Sequence, residues 1–195
     1  MTIRTTPPRM PDARVRVRVR VRDMTVDDCE AVAKVRVRSW QAAYAGLMPQ
    51  SHLDAMDIAE DARRRRGFFA EGNTVVNVVA ERPGAGVIGW ACYGPYREND
   101  RRTARGELYA IYVTPEQIGT GAGRALMTEI LNRAAADGFP DLVLWVLKEN
   151  APARRFYERA GFLPDGAEEP FEVDGVLVPE LRYVRALRPP ASAAG

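Results

Sequence analysis

An α/β sandwich with a mixed, mainly antiparallel central sheet flanked by helices is the fold this sequence predicts. Three observations predict it. Periodicity and turn residues place elements in the order β-α-α-β-β-β-α-β-α-β-β. A strand ending near Pro115 runs into three alternate glycines (Gly119, Gly121 and Gly123) and then an amphipathic helix. The apolar run Asp141-Leu-Val-Leu-Trp-Val-Leu147 leads into a short helix with Pro152 in its first turn and Gly161 at its C-terminal cap.

The elements follow in order. Residues 1–13 carry three prolines and little apolar content, and with the basic stretch to residue 18 read as a mobile Pro/Arg-rich leader. From Arg14 to Arg22 arginine and valine alternate; Val19–Arg22 reads as a first strand with its valines inward, and the excess before it as a charge-blunted edge or a basic arm. Thr25 with Asp28 three residues on marks a helix start, carrying Val32, Val35 and Trp40 to about Tyr44 before Gly46-Leu-Met-Pro49 breaks it. Ser51 opens a second helix through Leu53 and Met56 toward Phe68-Phe69, with the basic run Arg63–Arg66 on a solvated face. Thr74–Glu81 and Val87–Tyr93 form an antiparallel pair turned by Pro83-Gly-Ala-Gly86. Pro95–Arg105 reads as a polar loop, and Glu107–Val113 as the strand before the glycines. Asp174-Gly175 marks a late hairpin between Phe171–Val173 and Val176–Val184, and residues 188–195 read as a disordered tail. One domain over 19–187 is expected.

Bulk properties narrow the class. At 195 residues, 46% hydrophobic and 28% charged, the chain is ordinary for a soluble globular domain. A net charge of +2 does not call for nucleic acid or an acidic membrane surface. No apolar run nears the roughly 18 residues of a membrane span, and the leader lacks the apolar region of a secretory signal. Cys29 and Cys92 read as free thiols of a reducing cytoplasm, and the single His52 cannot build a histidine metal cluster. No metal cofactor is expected.

The glycine segment, Val113-Thr-Pro-Glu-Gln-Ile-Gly-Thr-Gly-Ala-Gly-Arg-Ala-Leu-Met127, is the chemical centre of the sequence. Glycines at this spacing let backbone N–H groups face an anion, and the helix start adds unpaired donors and the positive end of its dipole. A Walker loop is excluded because Arg124-Ala125 follows Gly123, and a dinucleotide fingerprint because its third glycine would be Arg124.

Strand, glycine-loop helix, strand, and a short helix written Lys148-Glu-Asn-Ala-Pro-Ala-Arg-Arg-Phe-Tyr-Glu-Arg-Ala-Gly-Phe162 resemble the GNAT superfamily of acetyl-CoA-dependent N-acetyltransferases. The resemblance covers roughly residues 19 to 185. It implies strands splayed at the acyl-CoA site, with loop amides of Gly119, Thr120, Gly121, Ala122, Gly123 and Arg124 on the coenzyme A pyrophosphate. Arg124 reads equally as an exposed first-turn arginine. Ile118 stands where the family pattern has Arg or Gln, with Gln117 one position early; this implies a modest loss of coenzyme affinity. The main chain of Ile111 and Val113 would pair with the pantetheine arm. Asn150 would bond that arm or order water, or simply cap the helix.

Tyr157 is the candidate general acid, because a phenol can protonate the leaving coenzyme A thiolate; Phe156 beside it reads as packing. Glu107 is the candidate base for an ammonium nucleophile, or else a charged strand end. Alternation would put Glu107, Tyr109, Ile111 and Val113 on one face. The acceptor would meet Trp40, Tyr44 and Tyr109, the 46–49 and 93–102 segments, and residues 165–176, whose Asp165, Glu168 and Glu169 suit a cationic acceptor or plain solvent. Trp40 and Tyr44 equally suit the core. The expected activity is acetyl transfer from acetyl-CoA to a primary amine of a small molecule, in the cytoplasm, without nucleic acid or membrane, in a monomer or a homodimer. The rivals are a protein N-terminal or lysine acetyltransferase, a non-catalytic acyl-CoA sensor, and nucleic-acid binding through the Arg-Val arm.

Overall fold

A computed structural model describes residues 19–70, 74–98 and 101–187; the predicted leader 1–18 and tail 188–195 lie outside the described residues. The strands are β1 (Arg20–Asp23), β2 (Val76–Arg82), β3 (Gly86–Glu98), β4 (Arg101–Val113), β5 (Asp141–Leu147), β6 (Leu163–Val173) and β7 (Val176–Ala186). The helices are α1 (Cys29–Ala43), α2 (Gln50–Ala55), α3 (Ile58–Ala70), α4 (Ala122–Ala136) and α5 (Ala151–Arg159). One sheet takes the strands in the order β1-β2-β3-β4-β5-β7-β6. Every pairing is antiparallel except β4 with β5.

The parallel pairing decides where the chemistry can sit. β4 and β5 share only the pairs Gly106↔Leu142 and Glu107↔Val143, and beyond them the strands part. A Cβ on Gly106 would stand 2.9 Å from Leu142 Cδ1 and 3.0 Å from the Phe139 ring, so glycine permits the close approach at this junction. Past it, one edge of each strand turns its backbone groups to a wedge.

Apolar residues cover both faces. On one, Leu126, Met127 and Ile130 of α4, with Phe156 and Tyr157 of α5, pack on Val78, Ala91, Leu108, Leu144 and Tyr183. On the other, Cys29, Val32 and Val35 of α1 pack on Val79, Trp90 and Cys92. Beside them Trp40, Tyr44 and Met48 meet Leu147, Val173 and Val178. Val19 and Val21 turn inward as expected.

Three expectations are corrected. The helix from Ser51 is two helices, α2 and α3, because Asp57 breaks the run and its Oδ1 accepts from Glu60 N–H at 2.7 Å, a start signal for α3. The described residues of the predicted loop, 95–98 and 101–105, are strand, not loop. β3 and β4 stay paired as far as Glu98↔Arg101, and a register shift between Pro95 and Arg97 absorbs the proline. The buried Tyr96, whose hydroxyl takes 3.1 Å from Arg182 Nη1, anchors it. Alternation along β4 also fails: a bulge at Tyr109, between the pairs Tyr93↔Leu108 and Cys92↔Ala110, turns Leu108, Ile111 and Val113 to the α4 side and Ala110 and Tyr112 to the α1 side. The late hairpin turns as predicted, with Asp174 at φ 49° and Gly175 at φ 76°.

Candidate active site

On the α4–α5 face a groove of about 1100 Å³ runs between the glycine loop and α5. Gly119 (φ 80°) and Gly121 (φ 95°) both take the left-handed conformation, which no other residue accepts cheaply, and this bends the chain into the helix start. Ala125 N–H is the first to bond back, to Gly121 O at 3.0 Å. The N–H groups of Ala122, Gly123 and Arg124 before it have no acceptor within the helix. Thr120 is tied inward, its N–H and Oγ1 both donating to Gln117 O.

Ile111, Val113, Gly119, Thr120, Gly121, Gly123 and Arg124 all line this groove, together with Tyr157. Ala122 is fully buried and does not line it. Arg159 and Arg185 also line it and join Arg124 as cationic wall, two residues the sequence reading missed. The loop, the helix start and this wall fit a pyrophosphate-bearing ligand such as coenzyme A. Ile118 stands 71% exposed at the groove, while Gln117 accepts from Arg82 Nη1 at 2.7 Å. The Val113 carbonyl accepts from Ser39 Oγ at 3.0 Å, which docks α1 on the end of β4. Asn150 is buried and caps α5, its Oδ1 accepting from Ala153 N–H at 3.2 Å.

Tyr157 is half-buried, edge-on to Phe156 and Phe162. Burial, then the charges of Tyr112 and Glu180, push its phenol above the ordinary value, so it keeps its proton at neutral pH. Tyr112 is raised by burial, and its hydroxyl lies 3.3 Å from that of Tyr44, itself raised by burial and by Tyr112. Trp40 stands edge-on to Tyr44 with centroids 5.0 Å apart; its Nε1 is buried with no hydrogen-bond partner among the described residues.

Two carboxylates face the other way. Leu108 points to α4, so its neighbour Glu107 takes the α1 side of β4. Leu181 and Tyr183 of β7 point likewise to the α4 side, and Glu180, paired with Leu147, takes the α1 side. Burial first, and then the charge of Glu180, raises Glu107 to about 7; burial and then Glu169 raise Glu180 to about 7. Glu180 was not among the sequence candidates. Tyr109 leaves the expected line: its bulge carries it away from Ile111, and its hydroxyl donates to Pro95 O at 2.6 Å. Asp165 and Glu168 are engaged in ion pairs, with Arg182 at 2.8 Å and Lys148 at 3.0 Å.

An anion cradle and a protonated phenol thus line one face of a parted sheet, and two carboxylates with raised pKa values lie on the other. Known proteins narrow the class. The chain belongs to the acetyltransferase (GNAT) family, whose model matches residues 35–162. It is 32% identical over 169 residues to the N-acetyltransferase YuaI of Bacillus subtilis, covering 84% of this chain and 90% of that one. It is 36% identical over 120 residues to the mycothiol acetyltransferase of Kocuria rhizophila, covering 62% of this chain but only 39% of that one. Its fold matches the PaiA N-acetyltransferase of Thermoplasma acidophilum in complex with coenzyme A, at TM-score 0.65 and 18% identity over 87% of this chain and 99% of that one. No described helix is long and apolar enough to cross a membrane.

Proposed function

We propose that this enzyme moves the acetyl group of acetyl-CoA to a primary amine of a small molecule, by direct transfer in a ternary complex. One observation carries the reading: Tyr157 and the anion cradle open on one face of the parted β4 and β5, and Glu107 and Glu180 on the other. The amides of Gly119, Gly121, Gly123 and Arg124 hold the pyrophosphate, and the edge of β4 at Ile111–Val113 holds the pantetheine arm.

An alkylamine arrives as an ammonium ion, since its pKa lies near 10. A carboxylate near 7 binds that cation and takes one proton, directly or through water. The nitrogen lone pair then adds to the thioester carbonyl, and the carbon–sulfur bond breaks. Tyr157 gives its proton to the departing thiolate. The second proton lost by the attacking nitrogen restores the phenol, and the amide keeps the remaining hydrogen. Tyr157 remains neutral until that moment because burial disfavours its phenolate.

Likeness to mycothiol acetyltransferases supports a small-molecule acceptor over a protein N-terminus. The test is calorimetric titration with acetyl-CoA, against NAD and ATP, followed by thiol release over a panel of amines. Micromolar binding of acetyl-CoA alone, with amine-dependent thiol release, is the expected result. Acetylation of peptide N-termini with every small amine inert would move the acceptor to protein, and absence of acetyl-CoA binding would overturn the reading.

A further inference from the structure

The basic run on α3 is solvated as expected at Arg63, Arg64 and Arg66, and Arg65 is the exception. Arg65 is only 12% exposed at its side chain and stacks on the Trp90 ring, 4.1 Å from guanidinium carbon to centroid. Its Nε donates to Asp61 Oδ2 at 2.7 Å. Arg64 Nη2 and Arg36 Nη1 donate to Asp61 Oδ1 at 2.9 and 3.0 Å, and Arg36 lies 4.5 Å over the Trp40 ring. Asp61 is 3% exposed. Burial acts to raise its carboxyl, yet the three guanidiniums hold it below the ordinary value.

These residues wall a cavity of about 610 Å³ between α3 and the α1 face of the sheet, with Met24, Phe68 and Trp90 as apolar surface. Among its described lining residues, one carboxylate answers three arginines. The surplus is cationic, in surroundings of low polarity where like charge is expensive and an anion is welcome. Burial lowers Arg36, as expected where counter-charge falls short. Among the described residues each arginine gives Asp61 one nitrogen, so the carboxylate orients the three forks and leaves their other N–H donors unengaged there.

The cavity adjoins the carboxylate of the proposed chemistry. Cys92 and Tyr109 line it, and the charge of Glu107 raises both; the charge of Arg36 reaches Tyr112. Glu107 and the cavity share one face of the sheet.

We infer that this cavity holds the far end of the acceptor, which is a primary amine that also carries an anionic group, with an apolar body against Trp90. The ammonium end faces Glu107 and the anionic end meets Arg36, Arg64 and Arg65. This rests on the N-acetyltransferase reading above, and the test separates the two.

Acetyl-CoA affinity is measured first by calorimetry. Thiol release is then followed with matched aromatic primary amines ending in a carboxylate, a phosphate or a neutral carboxamide, for the wild type and Arg64→Gln. Arg64 is the variant of choice because its side chain is 54% exposed and Asp61 keeps its two other partners. The wild type should prefer an anionic amine over the carboxamide by at least about tenfold in kcat/KM, and the better anionic arm names the group. Arg64→Gln should raise KM for that amine at least about threefold, with kcat and acetyl-CoA affinity unchanged. Arg65→Lys, which keeps the charge and loses the planar fork, should do the same. Benzoate should bind the wild type more tightly than benzamide, a readout that needs no turnover. Equal use of charged and neutral amines with acetyl-CoA bound, or equal binding of benzoate and benzamide, overturns this inference alone. Failure to bind acetyl-CoA overturns the enzyme reading beneath it.

Discussion

A phenol can protonate a leaving thiolate only while it still holds its own proton; an ordinary phenol holds it at neutral pH, and burial raises Tyr157 further. Tyr157→Phe should therefore bind acetyl-CoA within about twofold of wild type by calorimetry while turnover falls roughly 10²–10⁴-fold. As the proposed base Glu107 would act in the opposite sense, since a base must be ionised to work. With its pKa near 7, turnover should climb between pH 6 and 8. Glu107→Gln should lower the plateau about 10²-fold and flatten that rise in a pH–rate profile; a limb that persists in the variant would assign the ionisation elsewhere. Both could be named as candidates because each stands beside a motif. Glu180 was not. A glutamate in a late strand looks like any solvent-facing charge until register with Leu147 turns it to the α1 side. Arg65 misled for the converse reason: a run of arginines signals solvent, and only the docking of α3 on Trp90 covers one of them.

At the scale of elements, the glycine loop illustrates conformation serving chemistry without contact. A Cβ on Gly121 would meet nothing within 4 Å, so steric space is not the constraint; its φ of 95° is. Gly121→Ala should cost about 1 kcal/mol, read as a drop of several degrees in Tm. It should weaken acetyl-CoA about tenfold or more in calorimetry, because the amides lose their aim. Unchanged affinity would show that the loop does not hold the ligand. The loop was readable since glycine spacing encodes its turn directly. The bulge at Tyr109 was not, because nothing in Glu107–Val113 marks which residue is extra; the offset emerges only from pairing with β3. The start of α3 was marked by Asp57 and Glu60, but the continuous polar pattern around them concealed it.

For the whole molecule, the site is held against the preference of its own charges. Glu107 and Glu180 both have pKa values raised by folding, so the native state binds protons more tightly than the unfolded chain. Their contribution to stability is full below pH about 4.5 and is lost as pH rises through about 7. Glu180→Gln should thus melt higher than wild type at pH 8, by calorimetry or circular dichroism, and show no such advantage at pH 5. An equal difference at both values would mean that the carboxylate carries no such penalty.

The parting of β4 and β5 has a mechanical side as well. Between these strands the sheet is two leaves, β1–β4 and β5–β7, joined along the backbone by only the pairs at Gly106 and Glu107, with the Arg105–Asp141 and Arg182–Tyr96 side-chain bonds beside them. A short seam of this kind is a natural axis for the leaves to flex about. A ligand whose amide arm bonded the free edge of β4 would lengthen the seam, so that cofactor binding doubles as reinforcement of the sheet, growing with concentration as RT ln(1 + [L]/Kd). The same opening proposed to admit two substrates would make the empty enzyme the looser one.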